Sequence, residues 1–225
     1  MAGFPPDTLA LLRDLSADPT PATFDANRDR YHTYWRAPAT AFVEAVAPML
    51  ADLAPGLRAE PRVHGSVLHP RQDVRRGRDR PPYRDHVGLV FWEGDRATAT
   101  SVLFLRVHRD HVTLGAGARW FDPPTLRAYR DLVVDDAGGT LVDGVAAAES
   151  AGWPVRGETL ATRPRTHHSD DPTRARLLRH TALWAEADLP HPGVLGTARF
   201  PGWCVRRWDQ LLPVHRWLTD RLRPG

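Results

Sequence analysis

The 225-residue chain has no lysine, no isoleucine, one asparagine (Asn27), one cysteine (Cys204) and two methionines. All 30 of its basic residues are therefore arginine. The missing residues are those with A/T-rich codons, while alanine, arginine, glycine and proline abound. That bias reads as GC-rich coding rather than as a chemical requirement, so any single arginine is less informative than usual. One cysteine excludes an intrachain disulfide and a multi-cysteine zinc centre. No apolar run approaches the roughly 18 residues that a membrane span needs. The segment from Met1 to Leu15 lacks the basic start and long apolar stretch of a secretory signal. No membrane association is expected, and the expected location is cytoplasmic.

What is present describes a globular chain. Leu, Val and Phe make up about a fifth of the residues, with a net charge of only +3, which argues against disorder. With 21 prolines and 17 glycines the chain falls short of a low-complexity composition, and it has neither collagen nor heptad periodicity. The pI is about 9.6. It arises from a small excess of arginines over acidic residues, 30 against 27, not from a strongly basic face, which argues against a nucleic-acid partner.

Along the chain the hydrophobic period changes twice. Asp7 to Leu15 predicts a short helix capped by Asp7, with Leu9, Leu12 and Leu15 in step. Phe24, Tyr31, Tyr34 and Trp35 mark a second helical face, which Phe42, Val43, Val46, Met49, Leu50 and Leu53 continue beyond a kink or restart at Pro38. Strands are predicted over Arg62–Leu68, Val87–Trp92, Ser101–His108 and His111–Ala116, with a hairpin turn at Arg109-Asp110. Helices follow over Pro124–Val134 and Thr140–Ser150, then a strand over Val155–Thr162 and a helix over Thr173–His180. Trp184 to Leu189 fits strand or loop. Trp203 to Leu222 carries one helical stripe, divided near Pro213. Helices, then strands, then helices give an α+β fold: a single domain over residues 1–225, with a mainly antiparallel central sheet packed by the N- and C-terminal helices.

The densest chemistry lies between Arg71 and Arg84, where six arginines and two aspartates give a local charge of +4. Arg71, Asp73 and Arg75 alternate, so an extended strand would point them to one face. Planar guanidinium groups suit carboxylates and phosphates bidentately. Equally, Arg and Asp can pair with one another and pin a loop. This segment resembles the signature of the family domain of unknown function 2461, whose typical stretch reads Arg-Asp-Val-Arg-Phe-Ser-Lys-Asp-Lys-Thr-Pro-Tyr-Lys. Asp73, Val74, Arg75, Arg78, Asp79, Arg80, Pro82, Tyr83 and Arg84 fall on that pattern. Phe24 to Tyr31 with Pro38, Gly115-Ala-Gly117 followed by Pro124, Leu126 and Arg130, and Arg163-Pro164 followed by Asp171-Pro172 and Leu177-Leu178-Arg179 are similar to further stretches of the family. Thr23 stands where the family usually has Trp, and Arg76 where it has Phe. The resemblance implies one domain with a shared Arg/Asp/Tyr centre, and no particular reaction.

Arg71, Asp73, Arg75, Arg78, Asp79 and Tyr83 are accordingly the candidate ligand-binding residues, for a small molecule bearing a carboxylate or phosphate. Whether that site is catalytic is left open by the sequence; Tyr83 and His168 are the candidate proton-transfer groups. The rival readings are a non-enzymatic module whose arginines dock an acidic partner or a nucleic-acid backbone, and a purely structural Arg/Asp network. His167, His168, Asp170 and Asp171 lie close in sequence, but adjacent histidines usually point apart and no HExxH or related spacing occurs, so neither metal nor cofactor is expected. Asp171-Pro172 reads as a helix cap. His108 and His111 read as exposed turn residues, Cys204 as a packing residue, and Trp35, Trp92, Trp120 and Trp208 as core. If Asp73 and Asp79 hold packed arginines in place, Asp73→Asn and Asp79→Asn should each lower the urea midpoint, by roughly 3–5 kcal/mol of stability. Arg76→Gln should leave it unchanged.

Overall fold

A computed structural model describes residues 2–71, 81–135, 137–162 and 164–222. Asp73, Arg75, Arg78 and Asp79 lie outside the described residues.

The N-terminal helices are α1 (Pro6–Ala17), α2 (Pro21–Ala26) and α3 (Arg28–Arg30), followed by a π-helical segment, Tyr31–Arg36, and by α4 (Ala37–Leu53). The π-helical segment has a cause in the sequence. Pro38 has no N–H to return to the Tyr34 carbonyl four residues back. Thr8 of α1 fills that vacancy, its hydroxyl donating to the Tyr34 carbonyl oxygen. Helix α1 is not capped by the Asp7 side chain as expected; it starts on Pro6, with Asp7 in its first turn. Proline at the start of a helix has no orphaned N–H to satisfy, and an acidic residue there suits the helix dipole.

Among the described residues the sheet has six strands in the order β1-β2-β3-β4-β6-β5 and is antiparallel. The strands are β1 (Leu57–Arg58), β2 (His86–Glu93), β3 (Val102–His108), β4 (His111–Ala118), β5 (Val155–Arg156) and β6 (Leu183–Pro190). The fold is therefore α+β, as the segregated pattern of periods implied. Both edges are two-residue strands, which leave little unpaired backbone to template aggregation. The expected strand over Arg62–Leu68 is instead a tight turn. His64 adopts a positive φ of 68°, Gly65 N–H and Val67 N–H both donate to the Arg62 carbonyl, and Val67 meets Leu89 of β2 in an isolated bridge closed by Leu68 N–H to the Gly88 carbonyl and Val90 N–H to the Ser66 carbonyl. The strand expected over Val155–Thr162 shortens to β5 plus a bridge from Thr159 to His180.

The remaining helices are α5 (Pro123–Val134), α6 (Ala137–Ser150), α7 (Pro172–Leu177), α8 (Phe200–Asp209) and α9 (Leu212–Arg221). Asp171 caps α7 as expected, its carboxylate accepting from Arg174 N–H at 2.8 Å with Pro172 next in line. Asp122 caps α5 in the same way, accepting from Thr125 N–H at 2.7 Å. None of the helices among the described residues is long and apolar enough to cross a membrane.

The chain divides into two compact units, each assembled from separated stretches: 1–91, 104–114 and 188–206 in the first; 92–103, 115–187 and 207–225 in the second. The first unit is built on Leu11, Leu12, Trp35, Val43, Val46 and a triangle of Phe4, Phe42 and Phe200 with ring centroids 5.5–6.0 Å apart. In the second, Tyr129 stacks on Phe121 at 5.0 Å and meets Trp217 edge-on at 6.0 Å. Its buried hydroxyl donates to the Leu177 carbonyl at 3.0 Å, and burial pushes its pKa well above the ordinary value. Trp35, Trp92 and Trp208 are core; Trp120 is not, being 71% exposed between β4 and α5.

Candidate functional site

The first unit holds a cavity of about 370 Å³ lined by Tyr83, Asp85, His108, Arg109, Asp110 and His111 with Leu15, Ser16, Pro19 and Pro81. Two features of the chain build it. The hairpin between β3 and β4 turns at Arg109-Asp110, which places His108 and His111 side by side at the ends of paired strands. Antiparallel pairing of β2 with β3 then brings His86, the first residue of β2, beside His108, the last of β3.

The three imidazoles form a row. His108 stacks on His111 with centroids 4.1 Å apart and planes within 9°, and His86 lies 4.8 Å from His108. His108 and His111 are thus half-buried and stacked, not the exposed turn residues that their place in the sequence suggested. Around the row the partners are fixed. His86 Nδ1 lies 2.8 Å from Asp85 Oδ1, and His111 Nδ1 lies 2.6 Å from Asp110 Oδ1. His191 Nε2 stands 3.0 and 3.1 Å from the carbonyl oxygens of His108 and His111. Both neighbours accept, so this nitrogen carries the proton and ties the two ends of the turn together. His111 Nε2 is 3.7 Å from Asp188, which also accepts from Thr113 at 2.5 Å. His108 Nε2 is buried without a hydrogen-bond partner among the described residues.

Electrostatics follow from these contacts. The hydrogen bond from His86 holds the Asp85 carboxyl at about 2. Burial lowers the His86 pKa against the opposing pull of Asp85. Burial, and then the neighbouring His86 and His111 imidazoles, bring His108 down to about 4. The Asp110 carboxyl is also lowered, chiefly by its bond to His111.

Of the residues singled out in the sequence, Tyr83 lines this cavity. Its ring stacks on Phe24 at 4.5 Å and 11°, and Phe24 in turn lies 5.2 Å from Tyr31. Two of the family-like stretches therefore meet here. Arg71 is paired with Tyr83 through an isolated antiparallel bridge, and its exposed side chain belongs to the same local segment. His168 belongs to the second unit, where it lines an open depression with Thr162, Pro164, Arg165 and His167. Its Nε2 is 3.0 Å from Asp170, whereas His167 Nε2 is 2.8 Å from Asp131, so the adjacent imidazoles engage different carboxylates.

Other family-like stretches serve packing in the second unit. Arg130 Nε donates to the Leu178 carbonyl at 3.2 Å, and Arg179 Nε to the Leu160 carbonyl at 3.0 Å. Cys204 is buried, as a packing residue should be.

Asp85, His86, His108 and Arg109 were not among the sequence candidates. The usable signal was topological: a histidine opening one strand and another closing its antiparallel neighbour must adjoin.

The family model described as conserved hypothetical protein (DUF2461) matches residues 7–217. Among curated proteins none matches the chain.

Proposed function

The chain belongs to the DUF2461 family of conserved hypothetical proteins, and from that premise we propose that it recognises a small carboxylate- or phosphate-bearing molecule in the cavity beside Tyr83. The observation that carries this reading is the meeting of Tyr83, from the arginine-rich signature, with Arg109 in one cavity large enough for a metabolite-sized ligand. Arg109 is the anion contact: its side chain is half exposed and its carboxylate partner among the described residues, Asp110, stands off at 3.8 Å, so its donors can turn to a ligand. The Tyr83 hydroxyl supplies a directional hydrogen bond while its ring rests on Phe24. Arg71, Arg75 and Arg78 add positive charge from the same segment, with Asp73 and Asp79 orienting them. Residues 1–225 act as a single domain in this reading, since neither compact unit is a continuous stretch of chain. A reducing, cytoplasmic setting agrees with a lone buried cysteine.

Thermal unfolding against a panel of phosphomonoesters, inorganic phosphate and di- and tricarboxylates tests the proposal. A ligand at about 100 times its Kd adds roughly 2.7 kcal/mol to the native state. For a chain of this size that raises Tm by roughly 5–10 °C. Arg109→Gln and Tyr83→Phe should each abolish most of that rise while leaving the ligand-free Tm near that of the wild type, because the Arg109–Asp110 pair is exposed and phenylalanine keeps the ring stack. A rise that survives in both variants places the ligand elsewhere.

A further inference from the structure

We propose that Asp85, His86 and His108 bind one divalent first-row transition-metal ion of the zinc or ferrous class, with its remaining coordination positions open to the cavity. One donor atom from each of the three residues lies within 4.8 Å of the other two. Donors about 2.0–2.2 Å from an ion stand roughly 3–3.5 Å from one another, so the set needs a contraction of about an ångström. Asp85, with its side chain 60% exposed, is free to supply most of that movement. Its carboxylate already touches His86 at 2.8 Å, close to the spacing of two adjacent donors on one ion. Binding there releases the proton shared in that contact.

A second observation, independent of the clustering, is the buried His108 Nε2 with no hydrogen-bond partner among the described residues. A buried polar nitrogen left unmatched costs stability, and an ion beside the ring gives it a reason to persist. The donor types narrow the choice of ion. Two imidazoles with one carboxylate suit zinc or ferrous ions, whereas calcium and magnesium favour an all-oxygen shell. Three protein ligands leave positions for water or substrate, as a catalytic rather than a structural centre requires. Asp85 and His108 line the cavity, so those positions face it.

The surroundings are those of a supported site. His86 and His108 sit on paired strands, and His191 fixes the turn that follows His108. Outer contacts of this kind orient metal ligands. The ion would also reverse the local charge. Asp85 and Asp110 outnumber Arg109 in the cavity wall, and a divalent cation turns that deficit into a net attraction for an anion. In this last respect the inference rests on the proposed function, since it gives a carboxylate or phosphate its strongest partner.

The test is calorimetric titration of chelator-treated, full-length protein with zinc chloride alone, accompanied by the visible spectrum after cobalt(II) loading. One equivalent per chain should bind saturably, and cobalt should give ligand-field bands. Removing even an outer partner of a metal site weakens binding roughly 10–100-fold. Loss of a ligand in His108→Gln should therefore cost about 100-fold or more. Asp85→Asn, at an exposed position that does not endanger folding, should cost at least about tenfold by the same reasoning. His168→Gln should bind as the wild type does. Absence of one-equivalent binding overturns the proposal, as does binding untouched by Asp85→Asn and His108→Gln or lost in His168→Gln. Zinc binding without any anion-induced rise in Tm keeps the metal site and removes the ligand reading; an anion-induced rise in protein that binds no zinc does the reverse.

Discussion

Gly117→Ala is expected to lower stability by roughly 2–6 kcal/mol, a range that reaches beyond the ordinary cost of a point substitution. Gly117 lies in β4 with φ at +139°, where L side chains are strained, at a cost of roughly 1–3 kcal/mol. An added Cβ would also sit 2.4 Å from the Leu183 carbonyl oxygen and 2.5 Å from Trp184 Cα. Both are backbone atoms of β6, the adjacent strand, and backbone cannot swing aside as a side chain can. Forcing the strands apart adds an overpacking penalty of roughly 1–3 kcal/mol. Gly152 provides the control. Its φ is +87°, but nothing lies within 4 Å of its added Cβ, so Gly152→Ala should cost only the backbone part, about 1 kcal/mol. Urea unfolding of the two variants separates the contributions. Equal midpoints would refute the close-contact account of Gly117, and with it the view that the Gly115-Ala-Gly117 stretch serves strand packing.

His215→Ala is expected to cost roughly 2–5 kcal/mol, the range for truncating a large buried side chain. The imidazole is fully buried in the second unit, with Nδ1 2.8 Å from the Ser101 hydroxyl, itself 2% exposed. His215 Nε2 lies 3.3 Å from Glu93 Oε1, off the hydrogen-bond line. A serine, a histidine and a carboxylate in sequence of contact invite a nucleophilic reading. Burial decides against it. None of the three lines the Tyr83 cavity or the depression at His168, and a nucleophile sealed in the core meets no substrate. Truncation leaves a void and strips the Ser101 hydroxyl of its partner, which adds to the loss. Equilibrium denaturation should show the destabilisation, while the anion-induced rise in Tm persists in the folded variant. Unchanged stability would contradict the structural role.

The strands of the central sheet were legible because β2, β3 and β4 come from short runs of β-branched or aromatic residues bounded by turn residues, and because Arg109-Asp110 makes a short turn between two such runs. Arg62–Leu68 carries Val63 and Val67 at strand-like positions, yet Gly65 and the Ser66 hydroxyl, which accepts from Glu60 N–H at 2.9 Å, close it into a turn. Those contacts depend on folded geometry that no period reveals. Strand β6 was ambiguous because its burial loses contrast beyond Ala185 and it ends at Pro190. For the site, the signature motif pointed to Tyr83, and Tyr83 does line the cavity. The imidazole row was hidden because its members are drawn from β2 and from both ends of a hairpin, so proximity comes from pairing rather than from spacing. His168 looked chemical through its crowded neighbours, but His167 and His168 each have their own carboxylate in the second unit.

The most direct test of the cavity as the working site is NMR of protein labelled with nitrogen-15 in its 11 histidines, titrated with the compound that gives the largest rise in Tm. The ring resonances of His108 and His111, both in the cavity wall, should shift and saturate together, while those of His167, His168 and His215 stay in place. Shifts confined to His167 and His168, or binding that moves neither His108 nor His111, would contradict the account.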